Sequence, residues 1–113
     1  MEKMTRYRQL IRQLFNSYAQ ATVQYPREGV ERVLIMNEER GHYQLMTLGW
    51  HDQKRVKWLT LYVRCKDGKI WIEHDAIESG FANELIDAGV PATDIVLAFH
   101  APESRELVKL AAA

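Results

Sequence analysis

The chain has 113 residues, of which 47% are hydrophobic and 27% are charged, and its 15 basic side chains balance its 15 acidic ones. This length predicts one domain, residues 1–113, that buries enough surface to fold without a disulfide or a metal. The single cysteine, Cys65, excludes an internal disulfide and fits a reducing compartment. The sequence has no signal-peptide core and no apolar run of membrane-spanning length, so we expect a cytoplasmic protein.

A helix is predicted from Lys3 to Ala21. Its apolar residues recur every three or four positions and fall on one face: Met4, Tyr7, Leu10, Ile11, Leu14, Phe15 and Tyr18. So wide a stripe predicts that the helix packs on a sheet. Pro26 ends the helical stretch, because proline disfavours α geometry in the residue before it.

Four strands are predicted after this helix: Val30 to Met36, Tyr43 to Trp50, Arg55 to Lys66 and Lys69 to His74. The connections between them are short and polar. Successive strands joined in this way are antiparallel neighbours, so the pattern predicts a meander in chain order.

The pair Asp67-Gly68 predicts a two-residue type I′ turn between the third and fourth strands. This turn sets Lys66 opposite Lys69 and, without a register shift, Leu61 opposite His74. The face expected to point toward the core then contains Leu61, Val63, Cys65, Ile70, Ile72 and His74. A buried, unreactive Cys65 thiol follows from that placement.

A second helix is predicted to start at Asp75, whose side chain is suited to cap the first free amides while Glu78 reaches back. Gly80 either weakens this helix or marks a later start. The apolar segment Ile95 to Phe99 fits a fifth strand or a buried extended segment, and Glu103 to Leu110 fits a weak helical turn. The predicted fold class is therefore α+β, a four-stranded antiparallel meander, open to a short fifth strand, packed against two helices.

The charges are unevenly spread along the chain. Residues 1–72 hold 13 basic and 7 acidic side chains, whereas residues 73–113 hold 2 basic and 8 acidic ones. A basic N-terminal part and an acidic C-terminal part favour contact with charged protein surfaces, or with a second copy of the chain, over binding along nucleic acid. DNA-binding domains usually have a basic excess on one face. The alternative is that residues from the two parts lie beside one another in the fold, so that their opposite charges cancel and no strong electrostatic field results.

No sequence pattern points to catalysis, a cofactor or a metal. The four histidines, His42, His51, His74 and His100, have none of the spacings that bind metals. Glu73, Asp75 and Glu78 are close in sequence, but two of them serve the predicted helix cap. We therefore expect a non-enzymatic protein with no cofactor.

Several segments together resemble the XisI-like family of cyanobacteria, which contains the controlling factors for excision of the fdxN element. They include Glu39-Arg40-Gly41-His42-Tyr43, Asp67-Gly68-Lys69-Ile70-Trp71 and, most specific, Asp94-Ile95-Val96-Leu97-Ala98-Phe99-His100-Ala101-Pro102. The resemblance covers almost the full chain. It implies a small α/β protein that acts with a nuclease-fold partner of the XisH type. Together they are required for a site-specific recombinase to excise a DNA element during heterocyst differentiation. It carries over no catalytic residues.

Three functions follow as hypotheses. The first is an accessory factor that binds a protein partner through Glu84, Asp87, His100 and Pro102. The second is an antitoxin-like inhibitor, in which binding silences the nuclease partner. The third is direct DNA binding through the basic residues Arg6, Arg12, Lys54, Arg55 and Lys57.

Overall fold

The computed structural model describes residues 2–24, 29–77 and 80–103. Two helices and five strands follow one another along the chain: α1 (Lys3–Gln24), β1 (Val30–Asn37), β2 (His42–His51), β3 (Lys54–Lys66), β4 (Lys69–Asp75), α2 (Phe81–Asp87) and β5 (Ile95–Leu97). A 3₁₀ turn, Ala92–Asp94, leads into β5. The α+β fold class is confirmed, and α1 runs three residues further than predicted.

The strands form one sheet in the order β1-β2-β3-β4-β5. The first four strands are an antiparallel meander, as the short polar connections predicted. The last strand, β5, is parallel to β4 and pairs Ile95 with Ile70. Of the two readings of the segment Ile95 to Phe99, the fifth strand is therefore the one that the chain adopts, over three residues.

The β3–β4 hairpin has the predicted turn and most of the predicted register. Asp67 and Gly68 have φ of 53° and 76°, both in the left-handed region that a type I′ turn needs. The pairing holds from Lys66–Lys69 to Val63–Ile72 and then shifts by one residue.

Beyond this shift, the predicted pairing of the hairpin is wrong. Tyr62 lies opposite His74, and Leu61 lies opposite Asp75, because Glu73 is the extra residue of a β-bulge. His74 is consequently exposed and does not belong to the core face. Alternation does not reveal such a bulge, since Glu73 and His74 are both polar.

The predicted start of the second helix at Asp75 is also wrong, and the alternative, a later start marked by Gly80, is the one that the chain adopts. Asp75 is the last residue of β4, and α2 begins at Phe81 after Gly80, which has φ of 84°. The Asp75 carboxylate nevertheless accepts hydrogen bonds from the backbone amides of Ile77 at 2.9 Å and of Phe81 at 2.7 Å. It satisfies the first amide of α2 from across the connecting loop. Glu78 and residues 104–110 lie outside the described residues.

The core lies between the helices and one face of the sheet. From α1, the buried residues Tyr7, Ile11 and Phe15 point at the strands. The Phe15 ring lies 6.1 Å from that of Tyr43 on β2 and 5.5 Å from that of Phe81 on α2. Each fully buried side chain of this size contributes about 1.5–3 kcal/mol to folding. This face of the sheet, which we call the inner face, holds both helices.

Candidate interaction surfaces

The acidic residues of α2 differ in their exposure. Asp87 is exposed at the end of the helix, whereas Glu84 is half-buried and already makes contacts within the protein. Phe81 and Leu85 hold the short helix on the core from its other side. Of the two predicted partner-binding residues on α2, Asp87 therefore presents the more available carboxylate.

The segment after β5 forms a second surface with an aromatic residue. The Ala98 amide donates to the Ile72 carbonyl at 2.9 Å, so this segment continues along β4. Phe99 is 50% exposed, and its ring centre lies 4.7 Å from that of the half-buried His100. Pro102 is exposed nearby. The sequence analysis selected His100 and Pro102 but missed Phe99, which stands at the end of the apolar segment.

The predicted DNA-binding residues do not lie together. Arg6 and Arg12 are on α1, and the Arg12 guanidinium donates to both Glu38 oxygens at 2.9 Å. Lys54, Arg55 and Lys57 are on β3, close to the β2–β3 turn. The structure thus divides the set between a helix, where one charge is already paired, and a hairpin that leaves its cations exposed.

The polar residues weighed for chemistry are separated in the structure. His42 shares a hydrogen bond of 2.8 Å with the Tyr62 hydroxyl, and His51 lies 3.3 Å from Asp52. Within residues 2–24, 29–77 and 80–103, no group of three histidine, cysteine or acidic side chains is placed to hold a metal. Cys65 is buried as predicted, and this burial raises the pKa of its thiol to about 11.

The opposite face of the sheet, which we call the outer face, is covered by neither α1 nor α2. Strand alternation places on it a row of half-exposed or exposed apolar and aromatic residues: Ile35, Met46, Leu48, Trp50, Leu59, Tyr62 and Trp71. The sequence predicted that Met46, Leu48 and Trp50 share a face. It did not predict that α1 and α2 both leave this face uncovered, because the alternation of an apolar strand is the same whichever side the helices cover.

Neither of the described helices is long and apolar enough to cross a membrane. The architecture defines a small α+β domain with both described helices on one face of a five-stranded sheet. A family model described as XisI protein matches residues 1–112, so the chain belongs to the XisI family. No curated protein matches the chain.

Two solved structures from Anabaena variabilis ATCC 29413 share this fold. One is a XisI-like protein, 36% identical, with a TM-score of 0.84 and coverage of 93% of this chain and 94% of that one. The other is the fdxN element excision controlling factor XisI, 38% identical, with a TM-score of 0.78 and coverage of 92% of this chain and 99% of that one. The resemblance drawn from the sequence is thereby confirmed.

Proposed function

We propose that this protein is a non-enzymatic accessory factor that controls the excision of a DNA element by binding a partner protein in the cytoplasm. The observation that carries the proposal is its 38% identity, over 92% of the chain, to a protein named as an excision controlling factor. The partner that fits the family resemblance is an XisH-like protein with a nuclease fold.

The exposed acidic end of α2 supports a protein contact at this side of the molecule. Asp87 follows the buried residues Phe81 and Leu85, so the core fixes the position of the helix that carries its carboxylate. An exposed carboxylate on a fixed helix is suited to a basic partner surface, because opposite charges steer encounter and fix the orientation of a complex. Phe99 adds an exposed aromatic ring of the kind that anchors interfaces.

Co-expression with an XisH-like protein, followed by calorimetry of the purified pair, tests this proposal. We expect Asp87→Lys to weaken the complex about tenfold, since reversing a contact charge costs on the order of 1.4 kcal/mol or more. Glu39→Lys is the matched control, because Glu39 is an exposed acid on the β1–β2 turn, a different element. Equal binding by both variants and the unmodified protein would remove α2 from the contact surface. Absence of any complex with the unmodified protein would refute the proposal.

The same complex separates an activating from an inhibiting role. DNA cleavage by the partner is measured with increasing amounts of this protein. Cleavage that is supported or redirected agrees with an accessory factor. Cleavage that falls in proportion to the complex formed would replace it with the antitoxin-like inhibitor.

A further inference from the structure

The outer face carries an exposed tryptophan beside two cations at the β2–β3 hairpin. Trp50 is 58% exposed, and the Arg55 guanidinium carbon lies 5.6 Å from the centre of its ring. Arg55 is the cross-strand partner of Trp50, and Lys57 is two residues further along the same face of β3. One exposed aromatic ring therefore lies beside two cations at this end of the face.

The other end of the outer face repeats this combination. The Lys66 ammonium lies 4.8 Å from the centre of the Trp71 ring, and the Trp71 indole donates to the Lys66 carbonyl at 3.0 Å. Tyr62 lies between the two ends, with its hydroxyl fixed by the hydrogen bond to His42. Arg55 and Lys66 are eleven positions apart on β3, about 35 Å at the usual rise per residue.

The charges of this face favour an anionic ligand. None of the ion pairs formed within the described residues includes Arg55, Lys57 or Lys66. Of the two carboxylates on the face, Glu73 is paired with Arg64 at 3.6 Å, which leaves Glu31 on β1 as the opposing charge. Among the described residues of this face, Arg55, Lys57, Lys66 and Lys69, which lies opposite Lys66, outnumber the one remaining carboxylate and give a basic excess.

The position of Trp50 is fixed by its backbone. Its amide donates to the Gly29 carbonyl at 2.7 Å, and a Cβ at Gly49 would lie 1.9 Å from the same carbonyl oxygen. The backbone at Gly29 and the backbone at Gly49 are therefore in close contact. The strands continue to the pair His51–Lys54 before the turn. The aromatic ring is therefore presented by a rigid ribbon, which lowers the entropy lost when a ligand binds.

We infer that the outer face binds single-stranded nucleic acid. Unpaired bases stack on exposed aromatic rings and on guanidinium planes, while the backbone phosphates contact the cations beside them. A duplex hides the base faces that Trp50 would contact, so the single strand is the form that fits. This surface is distinct from the end of α2, and the inference does not depend on the proposed protein partner.

Anisotropy of a labelled oligothymidine of roughly 15 nucleotides tests the inference with the whole protein. Three phosphate contacts predict that log K falls with log salt at a slope of about −2. We expect Trp50→Ala to weaken binding about tenfold, as loss of one stacked base does. Trp58→Ala is the matched control, because Trp58 is 49% exposed on the same hairpin but on the opposite face.

A second pair of variants tests the electrostatic part. Lys57→Gln is expected to reduce the salt slope by about 0.7, whereas Lys54→Gln, on the opposite face of the hairpin, leaves it unchanged. A matching oligouridine distinguishes DNA from RNA as the natural ligand, and binding of either supports the inference. No binding at low salt, tighter binding of a duplex, or equal losses from Trp50→Ala and Trp58→Ala would overturn it. None of these results would alter the calorimetric test of the protein partner.

Discussion

Removing the hydroxyl from each of two buried tyrosines, Tyr7 and Tyr43, is expected to change the free energy of unfolding in opposite directions. The Tyr7 hydroxyl donates to an Asp94 oxygen at 2.5 Å and so joins α1 to the 3₁₀ turn before β5. Lys3 lies 3.4 Å from the same oxygen. A hydrogen bond to a charged acceptor is worth about 1.5–3 kcal/mol. Because Lys3 remains as a partner of the carboxylate, we expect Tyr7→Phe to lower the free energy of unfolding by about 2 kcal/mol.

The Tyr43 hydroxyl has no such partner. Tyr43 is 0% exposed, and its hydroxyl makes no hydrogen bond within the described part of the chain. A buried, unsatisfied hydroxyl costs about 1–3 kcal/mol. Tyr43→Phe keeps the ring that packs on Phe15 and removes this cost, so we expect the free energy of unfolding to rise by about 1 kcal/mol.

Urea denaturation of the two variants and the unmodified protein at neutral pH measures both effects. The variants are expected to differ from each other by about 3 kcal/mol. A difference below about 1 kcal/mol, or a loss in Tyr43→Phe as large as in Tyr7→Phe, would refute the reasoning.

The pH dependence of the Tyr7 variant gives an internal check. The hydrogen bond from Tyr7, together with Lys3, lowers the pKa of Asp94 below its ordinary value of 3.8. A carboxyl with a lowered pKa contributes stability above its unfolded pKa and loses this contribution as the pH falls through its folded pKa. The difference in the free energy of unfolding between the unmodified protein and Tyr7→Phe should therefore become smaller below pH 3.8.

Two further predictions concern backbone packing and alkaline pH. Gly49→Ala places a Cβ 1.9 Å from the Gly29 carbonyl oxygen, and thermal unfolding should show a loss of more than about 3 kcal/mol in the free energy of unfolding. Gly89 has φ of 100° but no atom within 4 Å of its added Cβ, so Gly89→Ala should lose only about 1 kcal/mol. Equal losses would show that φ alone determines the effect. Burial raises the pKa of Cys65 from 9.0 to about 11 and that of Tyr43 from 10.0 to about 12, so the stability present below pH 9 should fall as the pH rises to 12. Urea titrations at successive pH values measure this fall, and a flat profile would contradict the burial of both groups.

The meander was predictable because turn chemistry and alternation agree at the Asp67-Gly68 turn. Two independent signals gave the register as far as Val63–Ile72, and the structure has it. The bulge at Glu73 was not predictable, since Glu73 and the next residue, His74, are both polar and alternation does not distinguish which of them faces the core. The start of α2 was misplaced for a related reason: Asp75 does bind the first amide of the helix, but through a loop rather than from the adjacent position.

The interaction surfaces were less predictable than the fold. The sequence identified charged residues such as Arg12 and Asp87 but not which of them would find a partner, because Arg12 and Glu38 lie 26 positions apart. Alternation also identified apolar residues of the outer face, but it did not show that α1 and α2 would leave them uncovered. That property depends on both helices packing on the same side, which is a feature of the tertiary structure.

The parallel pairing of β4 with β5 has a consequence for the order of folding. The two-residue turn at Asp67-Gly68 closes a very short loop, whereas pairing Ile70 with Ile95 closes one of 24 residues. Loop-closure entropy rises by about 0.6 kcal/mol for each doubling of length, which makes the second closure roughly 2 kcal/mol harder. The hairpins of the meander should therefore form early, with α2 and β5 joining the sheet late. In the native protein, the same elements should open first in hydrogen exchange, with the Ala98 amide reporting the opening.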